Sequence, residues 1–166
     1  YKRQGPSVAE VDLLGANEVP PVATTAYGTG SFVFGVADLS LSYDITINVT
    51  EDTNITGVNI YSGTAGVNGD LLYDIFTDVF TPPVNVTGTL NWAGSVMLTL
   101  DEVSLLAAGD LYVNVLTEDE PTGELRGQID FGIDRDGADN QYYIDEIDPE
   151  SGSAYQALFQ YSGPYV

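Results

Sequence analysis

The chain has no histidine and no cysteine, and it sets only four lysines and arginines against 25 aspartates and glutamates. Each shortage excludes a class of chemistry. Without His or Cys the usual general base and the usual thiol nucleophile are missing, as are the imidazole and thiolate ligands of zinc and copper sites. No glycine-rich phosphate loop with a lysine is present. Among 25 acids, the closeness of two carboxylates in sequence carries no information, so catalysis is not expected. The lack of cysteine rules out a disulfide framework but leaves the compartment open; it tilts the source toward a microbe. No apolar run approaches the ~18 residues that a membrane-spanning helix needs. Tyr1-Lys2-Arg3-Gln4 opens directly into polar sequence, so an exported protein is expected to be represented here in its mature form.

The net charge of −21 repels nucleic-acid phosphates and anionic lipids, so neither nucleic acid nor membrane insertion is expected. Such a surface attracts divalent cations, or keeps a protein soluble in screening salt. Three of the four cations, Lys2, Arg3 and Arg135, lie in terminal regions.

What the chain does have is β periodicity. Across 39–49 every second residue is apolar (Leu39, Leu41, Tyr43, Ile45, Ile47, Val49), which puts one face on a core and the other in water. Further short strands are expected at 31–36, 57–61, 71–76, 88–92, 96–100, 111–117 and 124–131. Turn-forming groups such as Asn68-Gly69, Thr81-Pro82-Pro83 and Pro121-Thr122-Gly123 separate them. Many short strands at even spacing predict an all-β antiparallel sandwich or small barrel. One segment, 101–109, has acids in its first turn, an apolar face and a closing glycine; it reads as a short helix capped at both ends and packed on the barrel. A chain of 166 residues is about one domain's worth.

Three segments stand out within this pattern: L-G-A-N-E-V-P-P-V at 14–22, G-V-N-I-Y-S-G-T-A-G-V-N-G at 57–69, and L-L-A-A-G-D-L-Y-V-N-V-L-T with G-E-L-R-G-Q-I between 105 and 129. In order and spacing they resemble the CHRD domain, a secreted all-β module, over residues 8–131. The resemblance implies an extracellular or cell-surface location and a Greek-key arrangement. It divides the chain into an N-terminal extension (1–7), the β domain (8–131) and an acidic loop with a strand-like C-terminal addition (132–166). It also implies a histidine pair flanking the central isoleucine and a third histidine before a late threonine. Asn59, Tyr61 and Leu116 stand in those places. Alternate residues of one strand project from the same face, so Asn59 and Tyr61 keep that geometry with weak ligands, and Leu116 cannot ligate. Asn59 and Tyr61 are expected to form a hydrogen-bonded, partly buried pair. Glu18 and Arg126, both in well-marked segments, are expected to form an ion-pair clasp between the first and last strands; the competing role for Arg126 is a ligand anchor.

Outside the resemblance, Asp134, Asp136, Asp139 and Asn140, with Asp145 or Glu146 to close the shell, make the best candidate for Ca2+, because alternating carboxylates with a glycine can wrap oxygens around a hard cation. The competing reading is a solvated acidic turn. Asn48, Asn54 and Asn85 head N-x-T sequons and are candidate glycosylation sites. Residues 154–161 alternate Tyr155, Ala157, Phe159 and Tyr161 with Gln156, Leu158 and Gln160, which reads as a strand. The resulting expectation is an extracellular structural subunit that self-assembles through a terminal strand into a filament, sheath or matrix. The alternative is a monomeric secreted or cell-surface binding module, with Ca2+ as its cation.

Overall fold

The computed structural model describes residues 8–131. The order is β1 (Val8–Leu14), a single 3-10 turn (Gly15–Asn17), β2 (Tyr27–Gly35), β3 (Ser40–Ser62), β4 (Leu71–Asp74), β5 (Val84–Met97), α1 (Leu100–Ala108), β6 (Leu111–Thr117) and β7 (Leu125–Gln128). Alternation sets the faces: in β1, Ala9, Val11 and Leu13 are buried while Glu10 and Asp12 are exposed.

The 23-residue β3 organises the fold. Its first half pairs with β2 on one side and β5 on the other; its second half pairs with β6 and β4. Register shifts at Val49/Thr53 and Ile55/Gly57 let one strand bend between these partners. The path β3–β2–β1–β7–β6 returns to β3, closing a five-strand barrel, with β4 and β5 as extra strands along β3. Of the two architectures expected, the chain adopts the barrel. Its interior is filled by Leu13, Phe32, Leu41, Ile45, Ile55, Val58, Ile60, Val113 and Ile129, all fully buried. Beside it, Phe76 and Phe80 pack against Trp92, whose Nε1–H donates to the Ile75 carbonyl at 2.9 Å, so the indole is buried with its polar atom satisfied.

Two expectations are revised. Segments 39–49 and 57–61 belong to one bent strand, and 88–92 with 96–97 belong to one continuous β5. Gly94 does not break β5: it faces Tyr43 across the pair, and a Cβ there would come within 2.4 Å of the Tyr43 hydroxyl. The helix forms where expected. Thr99 accepts from the Glu102 N–H, Glu102 reaches back to the Thr99 N–H, and Gly109 closes the helix in the left-handed region, so Leu100 starts a helix rather than ending a strand. The N-terminal extension, the C-terminal strand-like segment and the Ca2+ candidates Asp134, Asp136, Asp139, Asn140 and Asp145 lie outside the described residues.

Candidate functional site

On β6 and the second half of β3, alternate residues (Val58, Ile60, Val113, Val115) point into the barrel, as does Leu125 of β7. The intervening ones form the opposite face. Register sets them in two rows, Asn59–Asn114–Arg126 and Tyr61–Tyr112–Gln128. Residues 15–26 and 63–70 fold over this face. The three segments that stand out in the sequence, far apart along the chain, therefore meet at one place.

Arg126 is its centre and is only 1% exposed. Its guanidinium lies 3.5 Å above the Tyr112 ring, which in turn stacks on Tyr61 with centroids 5.3 Å apart. One terminal nitrogen donates to Asn68 Oδ1 at 3.1 Å; the other meets the Thr64 carbonyl at 3.0 Å, the Val67 carbonyl at 2.8 Å and Gln128 Oε1 at 3.1 Å. Gln128 donates to the carbonyls of Gly63 and Gly109, and the Tyr112 hydroxyl accepts from the Gly69 N–H. A charged group fixed by this many acceptors pins the 63–70 loop to the sheet.

The expected Glu18–Arg126 ion pair is not formed. The guanidinium turns toward backbone carbonyls of the 63–70 loop, and Glu18 Oε1 is buried with no hydrogen-bond partner. The first strand is tied to the last in other ways: Leu14 pairs with Arg126 in the sheet, Asn17 Nδ2 donates to the Arg126 carbonyl at 3.0 Å, and Asn68 Nδ2 donates to the Val19 carbonyl at 2.9 Å. Burial pushes the Glu18 carboxyl up to about 7; the Arg126 charge opposes the shift and Glu120 adds to it.

The positions that the resemblance gives to histidines share the same outer face. Asn59 Nδ2 donates to the Tyr61 hydroxyl at 3.3 Å, and Leu116 stands opposite Gly57. Among the described residues, no group of three or more His, Cys, Asp or Glu is placed to hold a metal ion. The sequon asparagines all lie within β3 and β5. Asn54 Nδ2 donates to Glu118, Asn85 Nδ2 donates to Asn54, and Asn48 Oδ1 accepts from Thr89. The nitrogens to which a glycan would be joined on Asn54 and Asn85 are thus already engaged.

Sequence reasoning missed Asn68, Tyr112, Asn114 and Gln128. A signal existed for one of them: Asn114 interrupts the apolar run of β6 and is 5% exposed. Its Nδ2 donates to the Thr122 carbonyl at 3.1 Å, while its Oδ1 has no partner. A second buried carboxylate, Glu124, sits nearby and accepts from Thr117 Oγ1 and Thr24 Oγ1, both at 2.8 Å. Two clefts flank Glu18. One, of about 500 Å3, is lined by Asn17, Val19, Ala65 and Arg126; the other, of about 560 Å3, by Pro20, Asn68, Glu120 and Gly123. The arrangement holds the covering loops in place on the sheet.

The CHRD domain family model matches residues 9–129. No curated protein and no solved structure is matched by the chain. CHRD domains are typically extracellular and form a non-enzymatic module family; no helix among the described residues is long and apolar enough to cross a membrane. The barrel, the covered polar face of β6 and β7 and this match together place the chain in the CHRD domain family.

Proposed function

We propose that the protein is a non-catalytic extracellular structural subunit whose copies join by β-strand addition, a terminal segment of one copy pairing with β5 of the next. The observation that carries this reading is the open edge of β5. The strand is 14 residues long, and among the described residues it pairs only with β3. It carries no charge, and the whole run 79–100 is free of charged residues in a chain of net charge −21. Sheet edges are ordinarily guarded by shortness, charge or proline. The β4 edge fits that rule: it has four residues, with Asp70 before it and Asp74 ending it. At β5 two acidic bodies can approach without opposing carboxylates, and backbone groups can form a ladder. Residues 154–161, alternating and uncharged, are the natural donor; residues 1–7, with Lys2 and Arg3, are the second candidate. Head-to-tail addition of this kind builds an open filament.

Sedimentation and negative-stain imaging of the full chain test the proposal, with and without Ca2+. Polymers are expected, lost on deleting 154–166 and on the paired substitutions Ala93→Lys and Ser95→Lys on exposed positions of β5, with β circular dichroism unchanged. A monodisperse species of 17.7 kDa under all conditions overturns it. That outcome favours the second reading, a monomeric surface module, for which the two clefts beside Glu18 speak.

A further inference from the structure

We infer that Glu18 and Asn114 share a proton that latches the 16–23 segment to β6, and that the segment is released when the proton leaves. The geometry is that of two unpartnered acceptors close to one point. Glu18 Oε1 and Asn114 Oδ1 are both buried without a hydrogen-bond partner. They converge on one point: a Cβ on Gly123 would stand 2.6 Å from the first and 2.4 Å from the second. Gly123, at φ +138°, both adopts a backbone conformation that favours glycine and leaves that point open. Asn114 cannot turn its amide to solve the problem, because Nδ2 already donates to the Thr122 carbonyl.

Burying two such acceptors unpaired is costly, and a single proton on Glu18 satisfies both. The groups around it are consistent with a neutral acid. Arg126 of β7 directs its terminal nitrogens to the 63–70 loop and to Gln128, Glu120 of the turn before β7 repels an ionised Glu18, and Asn114 of β6 leaves its oxygen without a partner. Burial raises the carboxyl from 4.5 to about 7, so the latch weakens as pH rises between those values and is lost above neutrality. Glu18 also lines both clefts, so its ionisation places a charge at their shared wall while freeing the segment that bounds them.

Hydrogen exchange of the full chain, corrected for intrinsic rates, tests this across pH 5 to 9. Protection of residues 16–23 is expected to be greatest at the acid end, to fall by up to about tenfold per pH unit as pH rises to about 7, and to level off above it. Glu18→Gln keeps a neutral donor and should hold protection constant across the range. Pairing with carbon NMR gives a second readout: Glu18 should titrate near neutrality, and Asn114→Leu should lower that titration by removing the acceptor of the protonated form. Protection that falls identically in Glu18→Gln, or an ordinary carboxylate titration for Glu18, overturns the inference. So does a Glu18 titration unmoved by Asn114→Leu, since burial alone would then account for it. Should Asn114→Leu not fold, the Glu18→Gln comparison decides by itself.

Discussion

Glu18 and Glu124 are both buried carboxylates, 6% and 8% exposed, beside the seam where β1 meets β7. Glu124 receives a hydroxyl on each oxygen, from Thr24 and Thr117, and so ties the segment before β2 to the end of β6. Glu18 receives none on Oε1 and faces another unpaired oxygen. Burying a charge is tolerable only when its lone pairs are met. One acid is therefore a fixed strut, and the other is a group whose protonation state decides whether its surroundings are satisfied.

The largest effect expected from this contrast is at the strut. Glu124→Ala strands two threonine hydroxyls and removes two hydrogen bonds to a charged group, which should cost about 2–4 kcal/mol in denaturant unfolding at pH 8. Glu18→Gln at the same pH should leave stability unchanged or raise it by up to about 1 kcal/mol, because it replaces a poorly solvated carboxylate with a neutral donor. A Glu18→Gln loss as large as that of Glu124→Ala would erase the distinction between the two.

The pH dependence comes next in size. The Glu18 pKa rises from 4.5 to about 7 in the folded chain, so the native state holds a proton that the unfolded state has released between those values. Stability therefore declines as pH rises through that window and is level above it, with a slope from this group of at most about 1.4 kcal/mol per pH unit. Glu18→Gln should flatten that part of the profile. If thermal melts of the two proteins decline in parallel between pH 4.5 and 7, Glu18 is not the group responsible.

Much of this architecture is legible in the sequence because its signals are local. Period-two alternation marks the first half of β3, a short apolar run marks β6, and the first-turn acids with the closing Gly109 mark α1. The joins are not local. Nothing in the residues at 49–57 distinguishes a bulge that keeps β3 going from a turn that ends it, and the role of Gly94 depends on Tyr43, distant in sequence and its partner across the sheet. The site shows the same division. Its three segments are visible, but two of the four acceptors that hold the Arg126 guanidinium are the backbone carbonyls of Thr64 and Val67, which any residue would supply. Side-chain complementarity points to Glu18 instead, and that is why an ion pair is the natural and mistaken inference. The family resemblance, confirmed over 9–129, locates the site without naming its bonds.

The smallest effect is the most exacting check on that correction. With no direct bond between them, Glu18 and Arg126 interact only through the field that tends to lower the Glu18 pKa. In a double-mutant cycle at pH 8, the effects of Glu18→Gln and Arg126→Met on unfolding free energy should add to within about 0.5 kcal/mol. Asn68 accepts from the guanidinium directly at 3.1 Å, so Asn68→Ala with Arg126→Met should fall short of additivity by about 1 kcal/mol or more. Each single variant weakens the covering loops in its own way; only the coupling separates a contact from a neighbour. A strong Glu18–Arg126 coupling beside a weak Asn68–Arg126 one would mean that the guanidinium swings to the carboxylate in solution, and the acid that distinguishes this site would then be a strut like Glu124.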